Sequence, residues 1–198
     1  MKVIILAGGE SRRMGELNKS FLPFKEGRSI LEEMLLKIRP LDQSPLLVVK
    51  DPTEYQQYQQ NLKIVTDIYE AGPLGGLHAG LYYSPADYNL LLGCDMPFIK
   101  VEFLKYLKKK VTKDILIPQT YKGIEPLHAV YHKNCLPAIE RAIKNNCCKL
   151  SSFFEEVDVE FLSEKDIRSF DSQLQSFINI NTQKDYLNAL AKRCNNKW

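Results

Sequence analysis

No stretch of this 198-residue chain is apolar for long enough to cross a bilayer. The longest runs, Val3 to Ala7 and Leu90 to Leu92 with their flanks, fall far short of the roughly 20 residues that a spanning helix needs. No membrane is therefore expected as a partner. The opening run is also shorter than a signal-peptide core of about 7 to 15 residues, and Gly8-Gly9-Glu10 ends it, which predicts a cytoplasmic protein. Cysteine is scarce: the five residues Cys94, Cys135, Cys147, Cys148 and Cys194 form no Cys-x-x-Cys pair. Neither a disulfide framework nor a zinc knuckle is expected, and the thiols are read as reduced. An excess of one charge is missing as well. The 27 basic and 24 acidic residues leave +3 with no long basic block, so nothing demands a nucleic acid as partner. The densest cluster, Lys108-Lys109-Lys110, closes an expected helix, where cations complement the helix dipole.

Two nucleotide fingerprints are absent too. The chain contains no Gly-x-x-x-x-Gly-Lys-Ser/Thr and no Gly-x-Gly-x-x-Gly, which argues against P-loop NTPases and the usual dinucleotide fold. Only three histidines occur, His78, His128 and His132, and none belongs to a Ser-His-Asp or Cys-His arrangement. What is present is an ordinary globular composition, 44% apolar and 26% charged.

Short apolar runs alternate with longer amphipathic stretches. Strands are expected at Lys2 to Ala7, Leu46 to Val49, Lys63 to Val65, Tyr88 to Cys94, Ile115 to Pro118, Leu127 to Tyr131, Val157 to Leu162 and Phe177 to Ile180. Helices are expected at Ile30 to Ile38, Thr53 to Gln60, Leu74 to Tyr83, Lys100 to Lys110, Leu136 to Ile143 and Gln183 to Lys192, the last capped by Thr182. Gln119 to Pro126 reads as a loop. The rhythm predicts one α/β domain over residues 1–198, with a mostly parallel central sheet and helices on both faces.

In such a sheet, ligands bind beyond the carboxyl ends of the strands, where helix N-termini point free N–H groups into a crevice. The first such loop is Leu6-Ala7-Gly8-Gly9-Glu10-Ser11-Arg12-Arg13-Met14-Gly15, with Lys19 shortly after. Glycine lets backbone N–H groups approach an anion, and guanidinium forks grip phosphate oxygens bidentately. Asp67 and Asp95 each follow a predicted strand, and Met96-Pro97 fixes the second carboxylate at the sheet rim. A carboxylate beside a phosphate-gripping loop suggests Mg²⁺, which is held by one or two carboxylates together with substrate phosphates. Asp67 leads into Ala71-Gly72-Pro73-Leu74-Gly75-Gly76, a second glycine-rich loop that opens a helix and is suited to closing over a base or sugar.

Leu-Ala-Gly-Gly-x-Ser-x-Arg-Met-Gly followed by Lys19 resembles the signature of sugar-nucleotide-type nucleotidyltransferases. Gly-Pro-Leu-Gly-Gly, Cys-Asp-Met-Pro and the closing Asn179-Ile180-Asn181-Thr182 narrow the resemblance to the molybdenum cofactor guanylyltransferases, from Lys2 to the final helix. The resemblance implies a Rossmann-like nucleotidyltransferase fold in three layers. It also implies transfer of GMP from GTP to molybdenum-bound molybdopterin with Mg²⁺ as the metal, and molybdoenzymes or their chaperones as candidate protein partners. Residue by residue, it implies that Leu6, Ala7 and Gly8 frame guanine and ribose, that Gly9 also binds the nucleotide, and that Arg13 and Lys19 hold the triphosphate. Asp67, Gly72, Pro73 and Leu74 would contact the nucleotide, and Asp95 would ligate the metal. The N-terminal half then carries the nucleotide site and the C-terminal half the acceptor site. His128, Asn179 and Asn181 are the candidates for acceptor contact; His78 and His132 are read as core or surface residues. Where relatives carry an asparagine after the second strand, this chain reads Val49-Lys50-Asp51-Pro52.

The implied reaction is attack by a phosphate oxygen of molybdopterin on the α-phosphorus of GTP, with pyrophosphate leaving. An anionic nucleophile needs no general base, so catalysis reduces to alignment and charge neutralisation. Two alternatives stay open. One is a cytidylyl- or uridylyltransferase acting on molybdopterin, a sugar phosphate or an isoprenoid phosphate. The other is a non-catalytic nucleotide sensor or cofactor-delivering adaptor.

Overall fold

The computed structural model describes residues 1–7 and 18–195. In chain order these form β1 (Lys2–Leu6), β2 (Pro23–Lys25), β3 (Arg28–Ser29), α1 (Ile30–Ile38), β4 (Leu46–Val49), β5 (Lys63–Thr66), α2 (Gly72–Tyr83) and β6 (Tyr88–Gly93). There follow α3 (Val101–Lys110), β7 (Ile115–Thr120), β8 (Gly123–Ile124), β9 (His128–His132), α4 (Leu136–Lys144), β10 (Val159–Leu162), α5 (Glu164–Arg168) and α6 (Gln183–Asn195).

The main sheet runs in the order β10-β7-β9-β6-β1-β4-β5, with β8 attached to β7, while β2 and β3 form a separate hairpin. The pairs β6 with β1, β1 with β4, β4 with β5 and β7 with β10 are parallel. Only β9 runs against its neighbours β6 and β7 in the main ladder. The reason is the connection: parallel return needs a crossover of helix length, and the short segment 121–127 between β7 and β9 has none.

The central strands are apolar without a break because both faces are covered. Val3, Ile5, Leu47, Leu90 and Leu92 pack with Leu31 and Met34 of α1 and Phe103, Leu104 and Leu107 of α3. Their neighbours Ile4, Leu46, Val48 and Leu91 pack with Leu74, Leu77 and Leu81 of α2 and Ile139 of α4. Alternate residues of each strand thus serve opposite cores, at about 1.5–3 kcal/mol per fully buried large side chain. Among the described residues, no helix is long and apolar enough to cross a membrane.

Several elements follow directly from the local sequence. Helix α1 starts where Ser29 Oγ accepts the Glu32 amide at 3.2 Å and the Glu32 carboxylate accepts the Ser29 amide at 2.8 Å. Thr182 and Asp185 repeat this reciprocal cap at the start of α6 (3.1 and 2.8 Å). The expected helix over 53–60 is a 3-10 turn, Pro52–Tyr58, opened by Asp51, which accepts both the Thr53 amide and its hydroxyl.

Two expectations need correction. The segment 119–126 is not all loop, because Gln119 and Thr120 pair with Ile124 and Gly123 in the β7–β8 hairpin. Phe177 to Ile180 is not a sheet strand either. Both edges of β6 are taken by β1 and β9, so this segment forms the 3-10 turn Gln175–Phe177 and then runs extended, attached through the Ile180 amide to the Asp95 carbonyl at 2.9 Å. The hairpin β2–β3 and helix α5 had no clear signal in the periodicity.

Ile180 is fully buried in a third cluster with Phe24, Ile30, Phe98 and Ala189, which seats α6 against the hairpin and α1. Ile180→Ala is therefore expected to lower stability by about 2–5 kcal/mol in urea unfolding. A loss under about 0.5 kcal/mol would show that the closing segment is not anchored in this way.

Candidate active site

The parallel strands β1, β4, β5 and β6 end on the same side of the sheet. Leu6 pairs with Gly93, the Leu6 carbonyl accepts the Cys94 amide at 3.0 Å, and the Ala7 amide donates to Val48 at 2.8 Å. The half-buried Leu6 side chain lies against Gly76 in the first turns of α2. Of the residues expected in the first loop, Gly8, Gly9 and Arg13 lie outside the described residues, and description resumes at Asn18 and Lys19.

Helix α2 opens at Gly72 and Pro73 with no side-chain cap and no acidic residue in its first turn. Its free N–H groups and the positive end of its dipole favour negative charge at this turn. Leu74 is fully buried, so this turn meets a ligand through its backbone rather than through that side chain. The Asp67 carboxylate rests on the same turn. A Cβ added at Gly75 would fall 2.2 Å from Asp67 Oδ2, so glycine is what permits the contact, and Asp67 Oδ1 accepts the Tyr69 amide at 2.8 Å.

Asp95 stands at the end of β6 over Gly93, where an added Cβ would come within 2.8 Å of its Oδ1. Burial pushes its carboxyl above the ordinary carboxylate range, and the charge of Lys19 pulls the other way. Lys19 Nζ donates to Asn181 Oδ1 at 3.3 Å, and Ile180, the neighbour of Asn181, donates to the Asp95 carbonyl. Lys19, Asp95 and Asn181 therefore converge from three distant parts of the chain. Beside them, Asn179 Oδ1 is buried with no hydrogen-bond partner among the described residues. Such an orphaned acceptor is costly unless a donor arrives.

This donor set fits a divalent cation that brings other ligands with it. Among the described residues no three His, Cys, Asp or Glu side chains are grouped to hold a metal. The partly desolvated Asp95 carboxylate can supply one oxygen, leaving the rest to phosphate and water. Cys94, next to Asp95, contributes no nucleophile, since burial pushes its thiol up to about 12.

His128 is placed differently from the expectation. It has no exposed surface; its ring stacks on Phe103 (5.6 Å between centroids) and meets Phe177 edge-on (5.0 Å). Neither ring nitrogen has a hydrogen-bond partner among the described residues, and burial lowers its pKa to about 4 against the pull of Asp171. In this arrangement Phe177, two residues before Asn179 in the closing segment, covers His128 on one side. His78 is also buried and pairs with Glu140 at 3.2 Å. Tyr55, which sequence reasoning left in a polar stretch, is buried and hydrogen-bonded beside the first loop. Its one sequence signal is the spacing of Tyr55 and Tyr58 within Glu-Tyr-Gln-Gln-Tyr, a single inward face on an otherwise polar turn.

The MobA-like NTP transferase domain family model matches residues 3–160. A probable molybdenum cofactor guanylyltransferase of Clostridium perfringens is 36% identical over 195 residues, 96% of each chain. The molybdenum cofactor guanylyltransferase of Desulfosudis oleivorans is 34% identical over 92% of this chain and 90% of the relative. The crystal structure of molybdopterin-guanine dinucleotide biosynthesis protein A from Archaeoglobus fulgidus superposes with a TM-score of 0.86 at 30% identity, covering 98% of this chain and all of that one.

The buried His128 carries a pH signature. An unfolded imidazole titrates near 6.5 and the folded one near 4, so between these values the unfolded chain holds the extra proton. The stabilisation from keeping His128 neutral is complete above about pH 6.5 and is lost as pH falls towards 4, by about 3 kcal/mol. Urea unfolding at pH 7 and 4.5 should show this loss in the natural protein and a much smaller one in His128→Phe. Equal pH dependence in the two would mean that the imidazole is not held neutral.

Proposed function

The chain belongs to the MobA-like NTP transferase family, and from that premise we propose that it is a molybdenum cofactor guanylyltransferase using Mg²⁺-bound GTP and molybdenum-molybdopterin. A terminal phosphate oxygen of molybdopterin attacks the α-phosphorus of GTP. The bond from that phosphorus to the bridging oxygen of the β-phosphate breaks, and pyrophosphate leaves with the electron pair. The observation that carries this reading is the convergence of Lys19, Asp95 and Asn181 beyond the end of β6.

In this proposal the N-terminal half binds the nucleotide. Leu6, Ala7, Gly8 and Gly9 frame guanine and ribose, the backbone of Gly72, Pro73 and Leu74 and the carboxylate of Asp67 hold the nucleoside side, and Arg13 and Lys19 grip the triphosphate. Asp95 would hold the metal, which when bound neutralises charge between the α- and β-phosphates. Lys19 orients the leaving pyrophosphate as a fixed point charge. No proton need be removed from an already anionic nucleophile, which accords with a neutral Cys94 and a buried His128. The acceptor lies over the C-terminal half, with Asn179 and Asn181 as donors and acceptors for its polar edge; His128 acts there only by supporting Phe177. The cytoplasm, which keeps thiols such as the free Cys94, Cys135, Cys147 and Cys148 reduced, is the proposed setting.

Calorimetric titration with GTP, CTP, UTP and ATP in the presence of Mg²⁺ tests the reading. Selective GTP binding is expected, weakened about tenfold or more in Asp95→Ala and only slightly affected by that substitution when metal is withheld. Preference for CTP would move the base specificity to the cytidylyl branch. Failure to bind any nucleotide would overturn the proposal.

A further inference from the structure

The segment between β8 and β9 is three residues long, and each of the three is held. The Glu125 amide donates to the Pro118 carbonyl at 2.9 Å, and the Glu125 carbonyl accepts the His128 amide at 3.0 Å. The Pro126 carbonyl accepts the Tyr131 hydroxyl at 2.8 Å, and the Leu127 carbonyl accepts the Gly93 amide at 3.2 Å. The backbone beneath the Glu125 side chain is thus fixed before any ligand arrives.

Its place in the sheet order is equally specific. Strands β9 and β7 lie on one side of β6, and β1, β4 and β5 on the other. Asp95, just past the end of β6, stands on the boundary. Glu125 lies on the side away from the strands whose loops are assigned to the nucleotide. A Cβ added at Gly93 would meet Asp95 Oδ1 at 2.8 Å and Leu127 Cδ1 at 3.5 Å, which sets the segment 125–127 beside Asp95.

The Glu125 carboxylate is half-buried and short of donors. Oε1 accepts the Thr120 hydroxyl at 3.2 Å, and Oε2 has no hydrogen-bond partner among the described residues. An ionised carboxylate offers roughly four lone-pair sites, so the Thr120 bond leaves most of them unused. Burial pushes this carboxyl above its ordinary range, against the pull of Thr120 and of the exposed Lys122. A phosphate cannot fill the place, because like charges repel in a partly desolvated position. Two adjacent N–H donors can, since a carboxylate takes such a pair in parallel.

We propose that Glu125 is a specificity-determining residue of the acceptor subsite, its carboxylate taking the ring N–H and the neighbouring amino group of a 2-amino-4-oxo pyrimidine ring, the edge that a pterin presents. The inference rests on the reading of the C-terminal half as the acceptor side of a nucleotidyltransferase. It deepens that reading by giving the acceptor a direction. The pterin ring lies towards β9, and its phosphate, which Glu125 repels, lies towards Lys19 and Asp95. Guanine carries the same pair of donors, so the experiment separates the two sources of this edge.

The test is fluorescence titration with pterin and with lumazine, in which an oxygen replaces the 2-amino group. The natural protein is expected to bind pterin about tenfold or more tightly than lumazine. Glu125→Gln exchanges one acceptor for a donor, so it should bind lumazine at least as tightly as pterin, a reversal that damage to the fold does not produce. Its Kd for GTP with Mg²⁺ should stay within about twofold of the natural value, since separate sites act independently. Glu164→Gln alters another acid on the same hairpin, the acceptor of the Tyr121 amide, and should keep the natural preference. Glu125→Ala stands in if Glu125→Gln does not fold, and should bind the two pteridines alike. No pterin binding by the natural protein, or the same preference in Glu125→Gln as in the natural protein, would overturn the proposal. Tenfold weaker GTP binding in Glu125→Gln with the pterin preference unchanged would assign the carboxylate to guanine and overturn it as well. The expected reversal, together with no pyrophosphate release by the natural protein from GTP and molybdenum-loaded molybdopterin, would support the subsite and count against the guanylyltransferase reading alone.

Discussion

The in-register pairing of β1 with β6, Leu6 opposite Gly93, is the constraint on which the rest of the site depends. Both strands are buried on two faces, so a slip of one residue would turn every side chain towards the wrong core. With that register fixed, the chain leaves the sheet at Ala7 beside the end of β6, two residues before Asp95. The closing segment cannot enter the sheet, since β6 already has two neighbours, and it is held instead by the Asp95 carbonyl. Three parts of the chain far apart in sequence are thereby brought together beyond the end of β6.

The electrostatics follow from this geometry. Asp95 is pushed up by burial and held down by Lys19, a balance that leaves the carboxylate short of compensating charge. In the proposed reading a cation would relieve it, and Lys19 would meet the incoming anion. In that reading a metal and a polyphosphate would bind there together, each making the other less costly to bind.

The sequence carried much of the fold. Helix α1 and strand β4 fall where periodicity places them, because their apolar spacing serves two cores and Ser29 with Glu32 supplies a recognisable cap. Asp67 and Asp95 were read as strand-end acids and Lys19 as a cation following the first loop, and the structure places Lys19 where its charge acts on Asp95. Phe177 to Ile180 misled because an apolar run reads as a strand whether or not a sheet edge is free to receive it. His128 misled because a histidine beside a loop gives no sign that aromatic rings from α3 and from the closing segment will cover it. Tyr55 was illegible for the opposite reason. A lone tyrosine in a polar stretch shows neither its burial nor its hydroxyl partners, which come from residues 7, 18 and 20.

The central claim is that Asp95, through its charge, enables transfer at the α-phosphorus. Single-turnover pyrophosphate release with GTP, Mg²⁺ and molybdenum-loaded molybdopterin, in the natural protein and in Asp95→Asn, addresses it directly. The account predicts a rate at least 100-fold lower in Asp95→Asn, since the amide keeps the shape and removes the charge. Release at the natural rate in Asp95→Asn would contradict it.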